Sequence, residues 1–402
     1  MIVLKVAAAL LASVIALLAG ALVLGAYLPD LPKAGVIGPV LVGQYPFHTA
    51  IFALAGLALS APAWRGGLVR WGRTTAAITA LSAVAALVVA GIQYGAAARA
   101  GTAVSLGDVF GELTYPDAVP DTTQTYATRD GRALNVDVYL PKARTGTPAI
   151  VLAHGGGFHT FDKSDLRGTG RWLADHGVAV FAADYRLAAP GRPTWDQAPL
   201  DLASALRWVQ DHARQYGLDR SRISLGGMSA GGVLALNTAY RLRNGTLQMP
   251  GRPEPPASVA GFYTGGDVVQ MWQRNVDGSR TAAELFTGGT PQQFPHRYRE
   301  VSPVTQIRPG LQPTLLVVGD RDRSATPRQN RDLGQALRAA GTDVTVEVLP
   351  FAVHAFDDAY GSLSSQTGRQ ILLGFLTRDG GRPPQAGQAG RPRAWTPPST
   401  RR

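Results

Sequence analysis

A chain of 402 residues with 45% hydrophobic content can bury a large core and still leave material for further segments. It contains no cysteine, which excludes disulfides, thiolate metal sites and cysteine nucleophiles. The formal net charge of +11 comes mostly from scattered arginines, without the aromatic-interleaved basic stripe that single strands need, so nucleic acid is not an expected partner.

Residues 1–98 read as a membrane region with about three transmembrane helices. Residues 2–28 are almost wholly apolar, broken only by Lys5 and Ser13, and exceed the ~20 residues that span a bilayer. A second apolar run covers 47–64 and reaches back as far as Val36; a third covers 74–98. The first run is longer than the ~7–15 apolar residues of a cleaved signal, and two more follow it. Three buried core helices are the alternative, disfavoured by length and charge depletion. Lys5 precedes the first run, and Arg65, Arg70 and Arg73 lie between the second and third. Positive charge on the cytoplasmic side then makes this a multi-pass cell-membrane protein with everything after Ala98 outside the cytoplasm. The second run is short and carries His48 and Pro62, with Pro46 before it; if it does not cross, two spans remain and the following domain faces the cytoplasm.

Residues 99–124 form a polar connector, and a folded domain is expected over 125–379. Residues 134–140 alternate as a strand does, whereas 149–153 and 179–183 are continuous apolar runs typical of buried parallel strands. Strand patterns continue at 223–225, 259–262, 314–318 and 344–349. Helical patterns fall between and after them at 166–176, 199–216, 230–243, 327–340 and 365–377. This alternation predicts an α/β class, a mostly parallel sheet with helices on both faces, preceded by the all-α membrane region. Residues 267–310 break the rhythm and read as a cap or insertion. The Gly/Pro/Arg/Gln-rich tail 380–402, with five arginines and no acid, reads as disordered.

Gly227-Met228-Ser229-Ala230-Gly231 follows one strand pattern and opens a helix, the setting of a nucleophile elbow. A small-residue turn is the plain alternative. His154-Gly155-Gly156-Gly157 follows the strand pattern 149–153, and such a run exposes backbone amides to an oxyanion; Gly156, Gly157 and Ala230 are the expected donors. No Gly-Lys-Ser/Thr follows, so a phosphate loop is not expected. Among seven histidines, only His354 lies in a loop after a late strand, where a serine's base belongs; His154 is expected to brace the glycine loop. The acid that fixes the imidazole is Asp320 or Asp322, with Asp322 preferred and Asp320 shaping the turn. The order Ser229, Asp322, His354 suits this fold.

With Asp184-Tyr185-Arg186-Leu187, Asp201, Leu206-Arg207-Trp208 and Gly232 added to these motifs, the chain resembles the hormone-sensitive-lipase-like family of α/β hydrolases and its feruloyl-esterase and arylformamidase-like relatives over about residues 125–379. The resemblance implies a serine esterase without a cofactor or metal, acting on small acyl esters. Two features depart from the family: Gly191 follows Ala188-Ala189-Pro190 where Glu is common, and a membrane anchor leads into the domain where the family places its cap. The expected activity is carboxylic-ester hydrolysis through an acyl-enzyme by a protein held in the lipid bilayer. An amidase, arylformamidase or peptidase with the same triad is the nearest alternative, and a non-catalytic membrane scaffold the alternative of another class.

Overall fold

The computed structural model describes residues 2–378; the tail expected to be disordered lies outside the described residues. The chain opens with helices α1 (Ile2–Tyr27), α2 (Ala34–Gln44), α3 (Pro46–Arg65) and α4 (Val69–Arg99). Of these, α1, α3 and α4 are long and apolar enough to cross a membrane. The apolar run 47–64 is the single helix α3, and the stretch from Val36 that precedes it belongs to a separate short helix, α2. Pro46 bars its predecessor from helical geometry, and Tyr45 accordingly sits at φ −128°, ψ 52°.

These helices pack through small side chains. Ala12, Ala16 and Ala19 of α1, Ala53 and Ser60 of α3, and Thr79, Ala83 and Ala86 of α4 are buried. The hydroxyls of Ser60, Thr75 and Thr79 donate to carbonyls four residues back, which satisfies them without water. Leu17 and Leu81 point outward, 72% and 71% exposed. Lys5, Arg65, Arg70 and Arg73 gather toward one end. There Trp71 donates to Ser13 Oγ at 2.7 Å and Arg73 lies over the Trp64 ring.

A short helix α5 (Leu106–Gly111), capped by Ser105, leads into the sheet. Its strands are β1 (Thr122–Arg129), β2 (Arg132–Tyr139), β3 (Thr147–Ala153), β4 (Ala179–Ala183), β5 (Leu218–Met228), β6 (Val259–Phe262), β7 (Thr314–Gly319) and β8 (Val344–Leu349). Their order is β1-β2-β4-β3-β5-β6-β7-β8, antiparallel at β1/β2 and β2/β4 and parallel elsewhere. Strand β5 starts earlier than the apolar pattern 223–225 suggests, because residues 219–222, which follow Leu218 in it, are polar and partly or fully exposed. Helices α6 (Arg167–Asp175), α7 (Ala198–Asp211), α8 (Ala230–Asn244), α9 (Val268–Arg274), α10 (Ser279–Thr287), α11 (Pro295–Val301), α12 (Pro327–Ala339) and α13 (Leu363–Leu376) complete the domain.

Strand β3 shows why both faces are covered. Ala149, Val151 and Ala153 belong to a core with Leu202 and Leu206 of α7 and Leu234 of α8. Ile150 and Leu152 belong to the opposite core with Leu173 of α6 and Leu372 of α13. Helix α8 is buried continuously from Ala230 to Leu242, so it lacks a polar face; Arg241 ends there paired with Glu300 at 2.8 Å. Residues 267–310 fold as α9, α10, α11 and a final 3-10 turn. The loops after β3, β5, β7 and β8 leave the sheet at its carboxyl end, where open α/β sheets bind ligands.

Candidate active site

The turn after β5 places Ser229 at φ +52°, ψ −117°, a conformation costly for any residue with a Cβ. It persists because its surroundings fix it: Ser229 N–H donates to Phe262 O at 2.9 Å, and Val233 N–H returns to Ser229 O at 3.1 Å. Gly231 has no room for a side chain, since a Cβ there would stand 2.2 Å from Ala153 O. The sharp turn therefore requires the glycine that marks it in the sequence.

Ser229 Oγ lies 2.9 Å from His354 Nε2, and His354 Nδ1 lies 2.9 Å from Asp322 Oδ2. The other oxygen of Asp322 accepts the N–H groups of Ser324 and Ala325, both at 2.8 Å, and the carboxylate is fully enclosed. Asp320 stands apart from this chain of bonds. Its Oδ1 accepts the Phe351 N–H at 2.6 Å, and its Oδ2 meets Arg321 at 3.2 Å. Burial raises the Asp320 pKa, partly offset by Arg321. Burial by itself would lower the His354 pKa; the charge and hydrogen bond of Asp322, helped by Asp277 and Asp357, outweigh it and raise the imidazole.

The loop after β3 forms the facing wall. Gly156 and Gly157 take positive φ, and among the described residues no protein acceptor is found for the N–H of Gly156, Gly157 or Ala230. His154 is buried beneath this loop with Nδ1 2.9 Å from Gly155 O, and its ring stacks on Tyr185 at 4.4 Å. Burial lowers its pKa. Tyr185 Oη donates to the carbonyls of His154 and Gly155. The neighbouring Arg186 grips the fully buried Asp201 with two hydrogen bonds of 2.8 Å, which ties the 184–187 segment to α7.

A cavity of about 690 Å³ opens over Ser229, lined by the glycine loop, Val233, Tyr263, Met271 and the 276–282 segment. The cap segment thus contributes one wall. Its Asp277 accepts a hydrogen bond from Ser324 Oγ at 2.8 Å, linking it to the turn that carries Asp322. Tyr263 sits edge-on to His354 with ring centroids 4.9 Å apart and donates to Asp357 at 2.7 Å. Burial, and then the neighbouring Asp357 and Asp165, push Asp358 up to about 6. Sequence reasoning did not single out Tyr263, Thr264, Asp277 or Ser324. For Thr264 a signal existed, since it closely follows a strand beside the elbow, and its Oγ1 donates to Ser229 O at 3.3 Å. The described residues contain no group of His, Cys, Asp or Glu arranged to hold a metal.

Sheet order, elbow and glycine loop together define an α/β-hydrolase fold. A family model described as BD-FAE matches residues 136–337, and the chain belongs to that family. It is similar to Esterase LipC of Mycobacterium tuberculosis, 28% identical over 261 residues, covering 62% of this chain and 63% of LipC. It is also similar to the probable carboxylic ester hydrolase LipM of the same organism, 29% identical, covering 65% of this chain and 62% of LipM. The match thus spans less than two thirds of either relative. The fold is shared with a hyperthermophilic esterase from the archaeon Pyrobaculum calidifontis at a TM-score of 0.55 and 22% identity, covering 64% of this chain and 86% of that one.

Proposed function

We propose that the protein is a membrane-anchored serine hydrolase that cleaves carboxylic esters through an acyl-enzyme. The observation that carries this reading is the unbroken chain of 2.9 Å contacts from Ser229 Oγ through His354 to Asp322, at the floor of a cavity walled by free amides. His354 Nε2 takes the Ser229 hydroxyl proton as Oγ attacks the acyl carbon, and Asp322 holds the imidazole by Nδ1–H and stabilises its cationic form. The carbonyl electrons move onto oxygen, where the N–H groups of Gly156, Gly157 and Ala230 receive the charge. His354 returns the proton to the departing alcohol, and a water molecule repeats the sequence to free the acid and Ser229. The similarity to named ester hydrolases supports an ester as the bond cleaved.

The helices α1, α3 and α4 serve as the anchor. Large apolar side chains outside and small ones inside suit a hydrocarbon surrounding. Lys5 and the arginines around the α3–α4 turn belong on the cytoplasmic side, which puts the hydrolase domain outside. A membrane-impermeant fluorophosphonate probe added to intact spheroplasts tests both points at once. Wild type should label, and Ser229→Ala should not while keeping its fold. Labelling of Ser229→Ala would refute the nucleophile; labelling of wild type only after lysis would refute the orientation and favour two spans. On a p-nitrophenyl ester series with a peptide and a formamide for contrast, turnover should be confined to the esters.

A further inference from the structure

The loop that carries His354 begins with a residue that belongs to the other half of the molecule. Phe351 takes φ +56°, unfavourable for an aromatic residue, and its side chain is 6% exposed. It is not packed into the hydrolase core. It belongs instead to a buried apolar cluster whose other members are Val23 and Ala26 of α1, Val42 of α2, Ala50 of α3 and Ala86 and Val89 of α4, so the cluster draws on all four N-terminal helices. Its ring meets Tyr27 edge-on at 5.3 Å, and the Arg321 guanidinium lies over it at 4.7 Å.

The turn that carries the acid is gripped in the same place. Arg321, the residue before Asp322, donates Nε–H to Ala26 O at 3.1 Å, where the last carbonyls of α1 lack helical partners. Buried Gln93 of α4 donates to Gly43 O at 2.7 Å and Pro350 O at 3.1 Å, joining α2, α4 and the His354 loop through one amide. The fit at Gly43 is tight: a Cβ there would stand 2.0 Å from Phe351 O. The two turns are also sewn together, Arg321 N–H to Ala352 O at 2.9 Å and Phe351 N–H to Asp320 Oδ1 at 2.6 Å. No residue of α1–α4 lines the cavity over Ser229.

We infer that the N-terminal bundle holds the catalytic base and acid in register, with Phe351 and Arg321 as positioning residues that transmit its packing to His354 and Asp322. This rests on the reading of Ser229, His354 and Asp322 as the triad. The anchor is then part of the catalytic apparatus as well as a tether: a loosened bundle releases a strained turn three residues from the base. Its signature is loss of turnover without loss of binding, since substrate lies against walls that the bundle does not touch.

The test uses the full chain in lipid nanodiscs with soluble p-nitrophenyl acetate as substrate. Gly43→Val wedges the junction from the bundle side, Phe351→Ala empties it from the loop side, and Phe351→Leu restores apolar volume. Leu17→Ala on the outer face of α1 is the control. Displacing the base by a fraction of an ångström should lower kcat on the order of tenfold to a hundredfold in the first two variants. KM should stay within about twofold. Weakened contact with Asp322 should also move the acid limb of kcat/KM to lower pH, with Asp277, Asp357, Asp358 and Tyr263 still facing the imidazole. Phe351→Leu should recover most of the activity. Wild-type turnover with kcat and acid limb unchanged in both variants would overturn the coupling. So would parallel loss of kcat, substrate affinity and thermal midpoint with an unmoved limb, which marks plain unfolding. A wild type that neither labels with fluorophosphonate nor turns over would instead overturn the triad reading beneath it.

Discussion

The two regions of this molecule are built by opposite packing rules. In the hydrolase domain the large side chains are inside: Phe181, Tyr240, Tyr298 and Phe356 are fully buried. In the bundle the small ones are inside, and leucines such as Leu17 and Leu81 look outward. Water drives the first arrangement, because burying apolar area is its main favourable term. The second suits a surrounding as apolar as leucine itself, where helices gain by close backbone approach. The contrast teaches that one burial rule does not serve the whole chain, and it locates the junction at Asp320, Arg321 and Phe351 as the place where the two regions share contacts.

Two carboxylates two residues apart give the sharpest division between the regions. Asp322 faces His354, whereas Asp320 faces the turn held against the bundle. Asp322→Asn should lower kcat by roughly 10⁴-fold, because an amide can hold the ring in the wrong tautomer. Asp320→Asn keeps an oxygen that can still accept the Phe351 N–H, so its loss should be far smaller. Steady-state kinetics of the two variants in nanodiscs decides the point, and a reversed ranking would assign the acid to Asp320.

The packing rules themselves can be broken by truncation. Phe181→Ala in β4 empties a site walled by Trp208 and Tyr216 and should cost about 3–5 kcal/mol. Leu17→Ala removes more than half of an outward side chain, yet should change stability by no more than about 0.5 kcal/mol, as at other non-packed positions. Thermal unfolding in matched detergent measures both. A cost at Leu17 comparable to that at Phe181 would mean that the outer face of α1 is covered by protein.

Much of this architecture is legible in the sequence because its signals are local. Continuous apolar runs mark β3 and β4, and glycines flank Ser229 where the backbone has no room for a side chain. The late position of His354 and the Asp320/Asp322 pair are likewise readable from chain order. The split between α2 and α3 was available from Pro46, though the hydropathy of the run concealed it. The rest depends on contacts between distant segments. Nothing near Phe351 says that its ring leaves the hydrolase core for the bundle, and nothing near Gln93 says that its amide reaches Pro350, 257 residues away. The bond from Ser324 to Asp277 is equally invisible, because it joins the acid turn to a cap segment with no strand or helix pattern to align it.

The smallest expected effect is a pH displacement, and it separates the two influences on His354. The imidazole must be neutral to accept the Ser229 proton, so activity falls as pH drops through its pKa. Burial lowers that pKa, and Asp322 raises it by more, with Asp277 and Asp357 assisting. The acid limb of wild-type kcat/KM should therefore have its midpoint above the ordinary imidazole value of about 6.5. In Asp322→Asn the charge disappears while the burial remains, so the midpoint of the residual activity should move down, with Asp277, Asp357 and Asp358 still raising it in part. In Asp320→Asn the midpoint should stay with wild type, since that carboxylate is spent on Phe351 and Arg321. A limb that moves equally in both variants would mean that the field at His354 comes from the whole acidic turn, and would erase the distinction between the carboxylate serving the chemistry and the one serving the junction.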